Sequence, residues 1–310
     1  MNPLDNVNMK RFAVPAGLLL ALLAATLPAF AGTPIDKTVA ATANGHVRVS
    51  SVAGSIKVTA WNRNEIHIGG TLSRDAERLA VEKTGTGVSI QVVLPQHTSG
   101  NMEGSHLIIQ LPATSQLEVH TVSADIDAGG LEGSPVRLES VSGNVALVSK
   151  STNIYANSIS GDVGVTGSAP EAKIEAHSIS GKVGIEKVTG SLRAGTTSGD
   201  MQLTGENRLQ GAKLDTTSGD IRFAAILGTD GDYDFHSVSG NVELSLPKVP
   251  AASFDVSSFS GGIDTNFGPA PQRTSEFAPG KEWHYQSGSG KADIRIRTLS
   301  GDIRIHATAH

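Results

Sequence analysis

The sequence predicts an all-β protein, specifically a β-solenoid of the parallel β-helix or β-roll kind with coils of about 20 residues. Three observations predict it. Ser-Gly recurs at Ser142, Ser160, Ser180, Ser198, Ser218, Ser239, Ser260 and Ser300, and Ser123 extends the series towards the N-terminus. On either side of each Ser-Gly, apolar and polar residues alternate, as in Val183 with Ile185 and Ile303 with Ile305, which is the period of a half-buried strand. The composition agrees: 35 of 310 residues are Gly, aromatics are 4%, charged residues 18%, and there is no Cys. Disulfides and thiolate metal sites are therefore excluded, and the core is expected to be aliphatic and thin.

Residues Met1–Ala31 read as a secretory signal peptide, with Lys10-Arg11, an apolar stretch Phe12–Leu27 and Ala29-Phe30-Ala31 as a small-x-small cleavage site. The apolar stretch contains Pro15 and is shorter than the ~20 residues that span a bilayer. No later stretch reaches spanning length, so the processed chain is expected to lack a transmembrane span and to be exported to the periplasm, cell surface or medium.

Residues 32–116 form an irregular N-terminal β-region, with alternating strands at His46–Val49, Ser55–Val58, Glu65–Ile68, Val88–Val92 and His106–Leu111. Arg74–Ala80 is the only helical candidate and is too short to stand alone. This region is expected to cap the first coil against edge pairing; a separate small β-domain is the alternative.

Residues 117–310 hold the repeat. Two residues before each Ser stands a hydroxyl, from Thr121, Ser140 and Ser158 to Thr298. Between them come Val122, Val141, Ile159, Ile179, Thr197, Thr217, Val238, Phe259 and Leu299, mostly apolar and read as inward-facing. Gly is expected to supply a positive φ or a close backbone approach. An array of antiparallel hairpins, one per Ser-Gly, is the competing arrangement. The 40-residue step from Ser260 to Ser300 implies a coil near Pro271–Gly280 that has lost its signature. Residues 268–290 read as a loop insertion with Pro269, Pro271 and Pro279, in which Trp283, His284 and Tyr285 form either a candidate contact loop or a plug over the core.

The segments Ser158–Val163, Thr216–Ile221 and Gly288–Ile303, each built on Ser-Gly-Asp or Ser-Gly-Lys, together with Gly54–Trp61, resemble the bacterial putative-adhesin family. That resemblance implies an exported β-strand-repeat protein of uncharacterised function, and it brings no catalytic residues with it.

Little else carries chemistry. Gly288-Ser289-Gly290-Lys291 lacks the outer Gly and the closing Ser/Thr of a phosphate loop. Asp230, Asp232 and Asp234 have calcium-loop spacing, but Phe235 and Asn241 stand where the turn Gly and the closing Glu belong. Asp162, Asp200 and Asp220 form a candidate acidic ladder; Asp200 and Asp220 could share a proton or cation, or each Asp could cap its own turn. No metal or other cofactor is expected. A net charge of −5 disfavours nucleic acid as a partner. The reading is a non-catalytic, adhesin-like or structural envelope protein that contacts a cell-surface or envelope protein or glycan. The alternatives are a polysaccharide-active β-helix enzyme and an envelope stress factor without an external ligand.

Overall fold

The structure, a computed structural model, describes residues 32–95, 103–275 and 279–308. The signal-peptide segment lies outside the described residues. All regular structure among them is β: 26 strands join in one open, mostly parallel sheet. Arg78–Thr84 is a strand, so the short helix considered for Arg74–Ala80 does not form. The parallel pairing also excludes the hairpin array.

The strands stack in two rows. In the first row, Ile154 lies opposite Val136 on one side and Ile174 on the other, and the series continues through Leu192, Ala212, Tyr233, Ile294 and Phe254. In the second, Val145, Val163, Val183, Met201, Ile221, Val242, Ile303 and Ile263 succeed one another in register. Two 16-residue strands, His46–Trp61 and Gln116–Leu131, run through both rows and join them. Each repeat thus gives one strand to each row, a unit called a rung below. Alternate side chains of both rows fill one apolar cluster. It is aliphatic as far as Met201 and Leu203, then takes in Phe223, Tyr233, Phe235, Phe254 and Trp283. The expectation of an aliphatic core therefore holds for the N-terminal rungs and fails for the last ones.

Chain order and spatial order differ at both ends. The rung Ala292–Ala307 sits between Asp232–Leu246 and Ala252–Thr265. No coil has lost its signature near Pro271–Gly280: the 40-residue step is a detour in which the chain lays down the outermost rung, covers it, and returns to fill the space behind it. The cover is antiparallel. Lys281–Ser287 pairs along Ala252–Ser258, and Gln272–Arg273 pairs on its far side, so the expected loop holds two strands. At the opposite end Gly87–Val93 and Ser105–Pro112 form the outermost rung on His46–Trp61, and antiparallel strands Arg78–Thr84 and Glu65–Leu72 cover it. The edge strand Thr33–Ala40, paired on Glu65–Leu72, carries Pro34 and Lys37, residues that discourage pairing with a further strand.

Candidate binding face

The Ser-Gly turn is built by hydrogen bonds between rungs. Buried Ser178 accepts from the Gly181 N–H at 2.9 Å and donates to the Gly161 carbonyl of the rung before it, also at 2.9 Å. Ser158 and Thr196 do the same with Gly161 and Gly199 as donors and Gly143 and Gly181 as acceptors. A hydroxyl is needed there because it closes its own turn and satisfies its neighbour's carbonyl, leaving neither group orphaned in the core. The turn glycines Gly161, Gly181, Gly199 and Gly219 have no positive φ. A Cβ on any of them would run into the preceding rung's glycine carbonyl, so close approach is the reason for Gly.

The acidic column acts along the same axis. Asp162 Oδ1 accepts from the Lys182 N–H at 2.8 Å, Asp200 from Asp220 at 3.0 Å, and Asp220 from Asn241 at 2.9 Å. Each Asx therefore caps the turn of the following rung, which corrects the expectation that it caps its own. Lys182 interrupts the ladder because its side chain has no acceptor to offer Asp200. Among the described residues no group of three or more His, Asp or Glu could hold a metal ion.

Of the aromatic trio, Trp283 is buried at 2% exposure, Tyr285 packs partly buried against the core, and His284 is exposed 3.3 Å from Asp255. The indole donates to the Pro269 carbonyl at 2.8 Å and meets Phe254, Phe267 and Tyr285 with ring centroids 5.2–5.6 Å apart.

The outward side of the first row carries a column of charge absent from the reading above. In register it runs Arg48, Glu118, Arg137, Tyr155, Glu175, Arg193, Lys213, Asp234, Arg295, Asp255 and His284. Apart from Arg48 and Glu118, each stands five residues before the Ser of a Ser-Gly, a spacing visible in the sequence. At the N-terminal end, Glu118 takes His46 at 3.1 Å, Arg48 at 2.9 Å and His120 at 2.7 Å, while His120 also reaches Glu139 at 2.8 Å. Arg137 lies over the Tyr155 ring at 4.1 Å.

The His120 hydrogen bond, with help from Arg48 and His46 and against the cost of burial, holds the Glu118 carboxyl at about 2 instead of 4.5. A carboxylate lowered in the folded state stabilises the fold above its unfolded value, and that stabilisation disappears as pH falls from about 4.5 towards 2. Glu118→Gln should therefore cost on the order of 2 kcal/mol at neutral pH, after discounting for the exposed Arg48, and almost nothing near pH 2. Urea unfolding of both proteins across that range checks this; a pH-independent difference would mean that Glu118 acts by packing.

Towards the C-terminal end the same face opens into a groove of about 610 Å³ lined by Lys173, Glu175, Arg193, Lys213, Asp234 and Arg295. Ser191 and Gly211 make its floor, small enough to leave the space. Asp232 and Asp234, whose spacing matches a calcium loop, lie in a strand that begins at its edge. Arg193 stands directly opposite Lys213, with Glu175 and Asp234 opposite them on the outer strands. Among the described residues neither cation lies within ion-pair distance of a carboxylate, whereas Arg48, Arg137, Arg295 and Arg297 each do. Like charges directly opposite on neighbouring strands are unfavourable unless something else neutralises them.

A family model, Toastrack DUF4097, matches residues 44–306. Among solved structures, a putative adhesin from Bacteroides fragilis NCTC 9343 is 12% identical with a TM-score of 0.44, covering 88% of this chain and 96% of its own. A putative lipid binding protein from Parabacteroides distasonis ATCC 8503 is 12% identical with a TM-score of 0.49, covering 88% and 97%. A putative adhesin from Parabacteroides merdae ATCC 43184 is 11% identical with a TM-score of 0.37, covering 90% and 97%. No curated protein matches. The family resemblance seen in the Ser-Gly-Asp segments is thus met by the family model.

Proposed function

The chain belongs to the Toastrack DUF4097 family, and we propose that it is an exported, non-catalytic β-solenoid of about 20-residue coils whose outer face binds an acidic envelope glycan. The observation that carries this reading is the groove in which Arg193 and Lys213 stand side by side with no carboxylate of the described residues within ion-pair distance. An anionic sugar unit would neutralise that pair, and the neighbouring Glu175 and Asp234 would accept its hydroxyls. A rigid parallel stack suits a polymer because successive rungs present side chains at a fixed spacing of ~4.8 Å. Export is supported by the signal-like sequence of residues 1–31.

Binding of the purified protein to isolated acidic envelope polysaccharide tests the reading. Arg193→Gln with Lys213→Gln should weaken binding by roughly tenfold to a hundredfold and flatten its salt dependence. Unchanged binding would remove the groove from the function. Shortening of the polymer by the parent protein would favour the enzyme alternative.

A further inference from the structure

The column read as inward-facing is in fact outward. Phe259 is 63% exposed, Leu299 52% and Ile179 49%; Val122, Val141 and Ile159 are also exposed. Backbone hydrogen bonds from Ser142 to Val122, Ser160 to Val141, Ser180 to Ile159, Ser198 to Ile179, Ser218 to Thr197, Ser239 to Thr217, Ser300 to Val238 and Ser260 to Leu299 fix their succession. Along the turn edge the order is therefore Val122, Val141, Ile159, Ile179, Thr197, Thr217, Val238, Leu299, Phe259. The residue after each is an exposed Ser. The result is a ridge nine rungs long and two residues wide without a single charge, on a chain otherwise well supplied with ion pairs. Contiguous exposed apolar surface of this kind marks an interaction site.

We propose that this ridge is the interface of a two-fold dimer with a second copy of the chain. An isologous interface must be complementary to itself when reversed. With the axis between Thr197 and Thr217, Thr faces Thr, Ile179 faces Val238, Ile159 faces Leu299 and Val141 faces Phe259. That alignment sets every apolar residue it overlaps against another; an axis through Thr197 would set Ile179 against Thr217. The five exposed apolar side chains in the overlap offer on the order of 450 Å² per copy, so two copies bury about 900 Å² before Val238 and the serines are counted, which approaches the lower bound of a specific interface. The absence of charge keeps the desolvation cost low.

The mass in solution of the purified chain, read by sedimentation equilibrium, should be twice that of one copy. Ile159→Asp with Ile179→Asp should weaken association roughly a hundredfold, with a thermal midpoint equal to the parent's when both are diluted to monomer, because both side chains are exposed in a single copy. The register is tested by cross-linking, which the cysteine-free sequence makes clean. Under mild oxidation, Val141→Cys mixed with Phe259→Cys should join in a disulfide between copies. Neither should join with itself, since like positions would lie about 33 Å apart along the ridge. A monomeric mass for the parent, self-joining of either variant, or binding of a monomer to lipid vesicles through this ridge would each overturn the proposal.

Discussion

Gly219→Ala is expected to destabilise the protein by about 3 kcal/mol and to lower its unfolding midpoint by several degrees, although it adds a single methyl group at a turn. The methyl would lie on the Gly199 carbonyl oxygen, well inside contact distance. The turn cannot swing aside, because the Gly219 N–H is held by Thr216 Oγ1 at 3.0 Å and the next N–H by Asp200 Oδ1 at 3.0 Å. Nor can the strain stop there: Gly240 packs on the Gly219 carbonyl in the same way, so a displaced Gly219 presses on the next rung. Lys213→Gln, at an exposed position on the outward side of its strand, should leave the stability within about 0.5 kcal/mol of the parent. Thermal unfolding of the two variants side by side checks this. Equal midpoints would mean that the turns are not held against one another.

The same turn shows how far the sequence could be read. Ser-x-Ser-Gly exposed the repeat, the two strands around it and the need for Gly, because those features are local and recur at a fixed distance along the chain. The direction of the residue between the two serines was misjudged: a column of Val and Ile in a strand-like pattern looks like core, but the turn that starts at Ser140 or Ser178 has already rotated the next side chain outward. The role of the Asp column was misjudged for a related reason, since the N–H that Asp162 accepts from belongs to Lys182, one rung on. Capping across rungs leaves no mark in local sequence.

Least legible was the order of rungs. Pairing between Ala292–Thr298 and Asp232–Ser237 spans more than fifty residues, and both rungs carry the same signature, so the spacing alone fits either a lost coil or an inserted one. The linker Pro247-Lys248-Val249-Pro250 is the one hint, as it must step over two rung spacings instead of one. A common logic explains both ends of the stack. The outermost rung is laid down before its inner neighbour at the C-terminal end and after it at the N-terminal end. Each outermost rung therefore lies inside the chain, where flanking segments can fold back over it as antiparallel covers.

The cover at the C-terminal end rests on Trp283, and Trp283→Ala is expected to cost about 3–5 kcal/mol, the largest loss from any single side chain at that end. The indole lies opposite Val256 in the antiparallel pair and fills the space between Phe254, Phe267 and Tyr285, so its removal leaves a cavity that the three remaining rings, held on separate segments, cannot close. It would also leave the Pro269 carbonyl without its donor. Trp283→Phe separates the two contributions: it keeps most of the apolar contact but not the hydrogen bond, and should cost about 1–2 kcal/mol. With the cover loosened, the unpaired side of Ala252–Ser258 becomes available to other chains, so Trp283→Ala should also self-associate on heating. Chemical denaturation gives the stabilities, and light scattering during a thermal ramp gives the association. If Trp283→Ala unfolded at the parent's midpoint and stayed dispersed, the ring would not be what closes this end, and the aromatic trio would return to the surface role considered from the sequence.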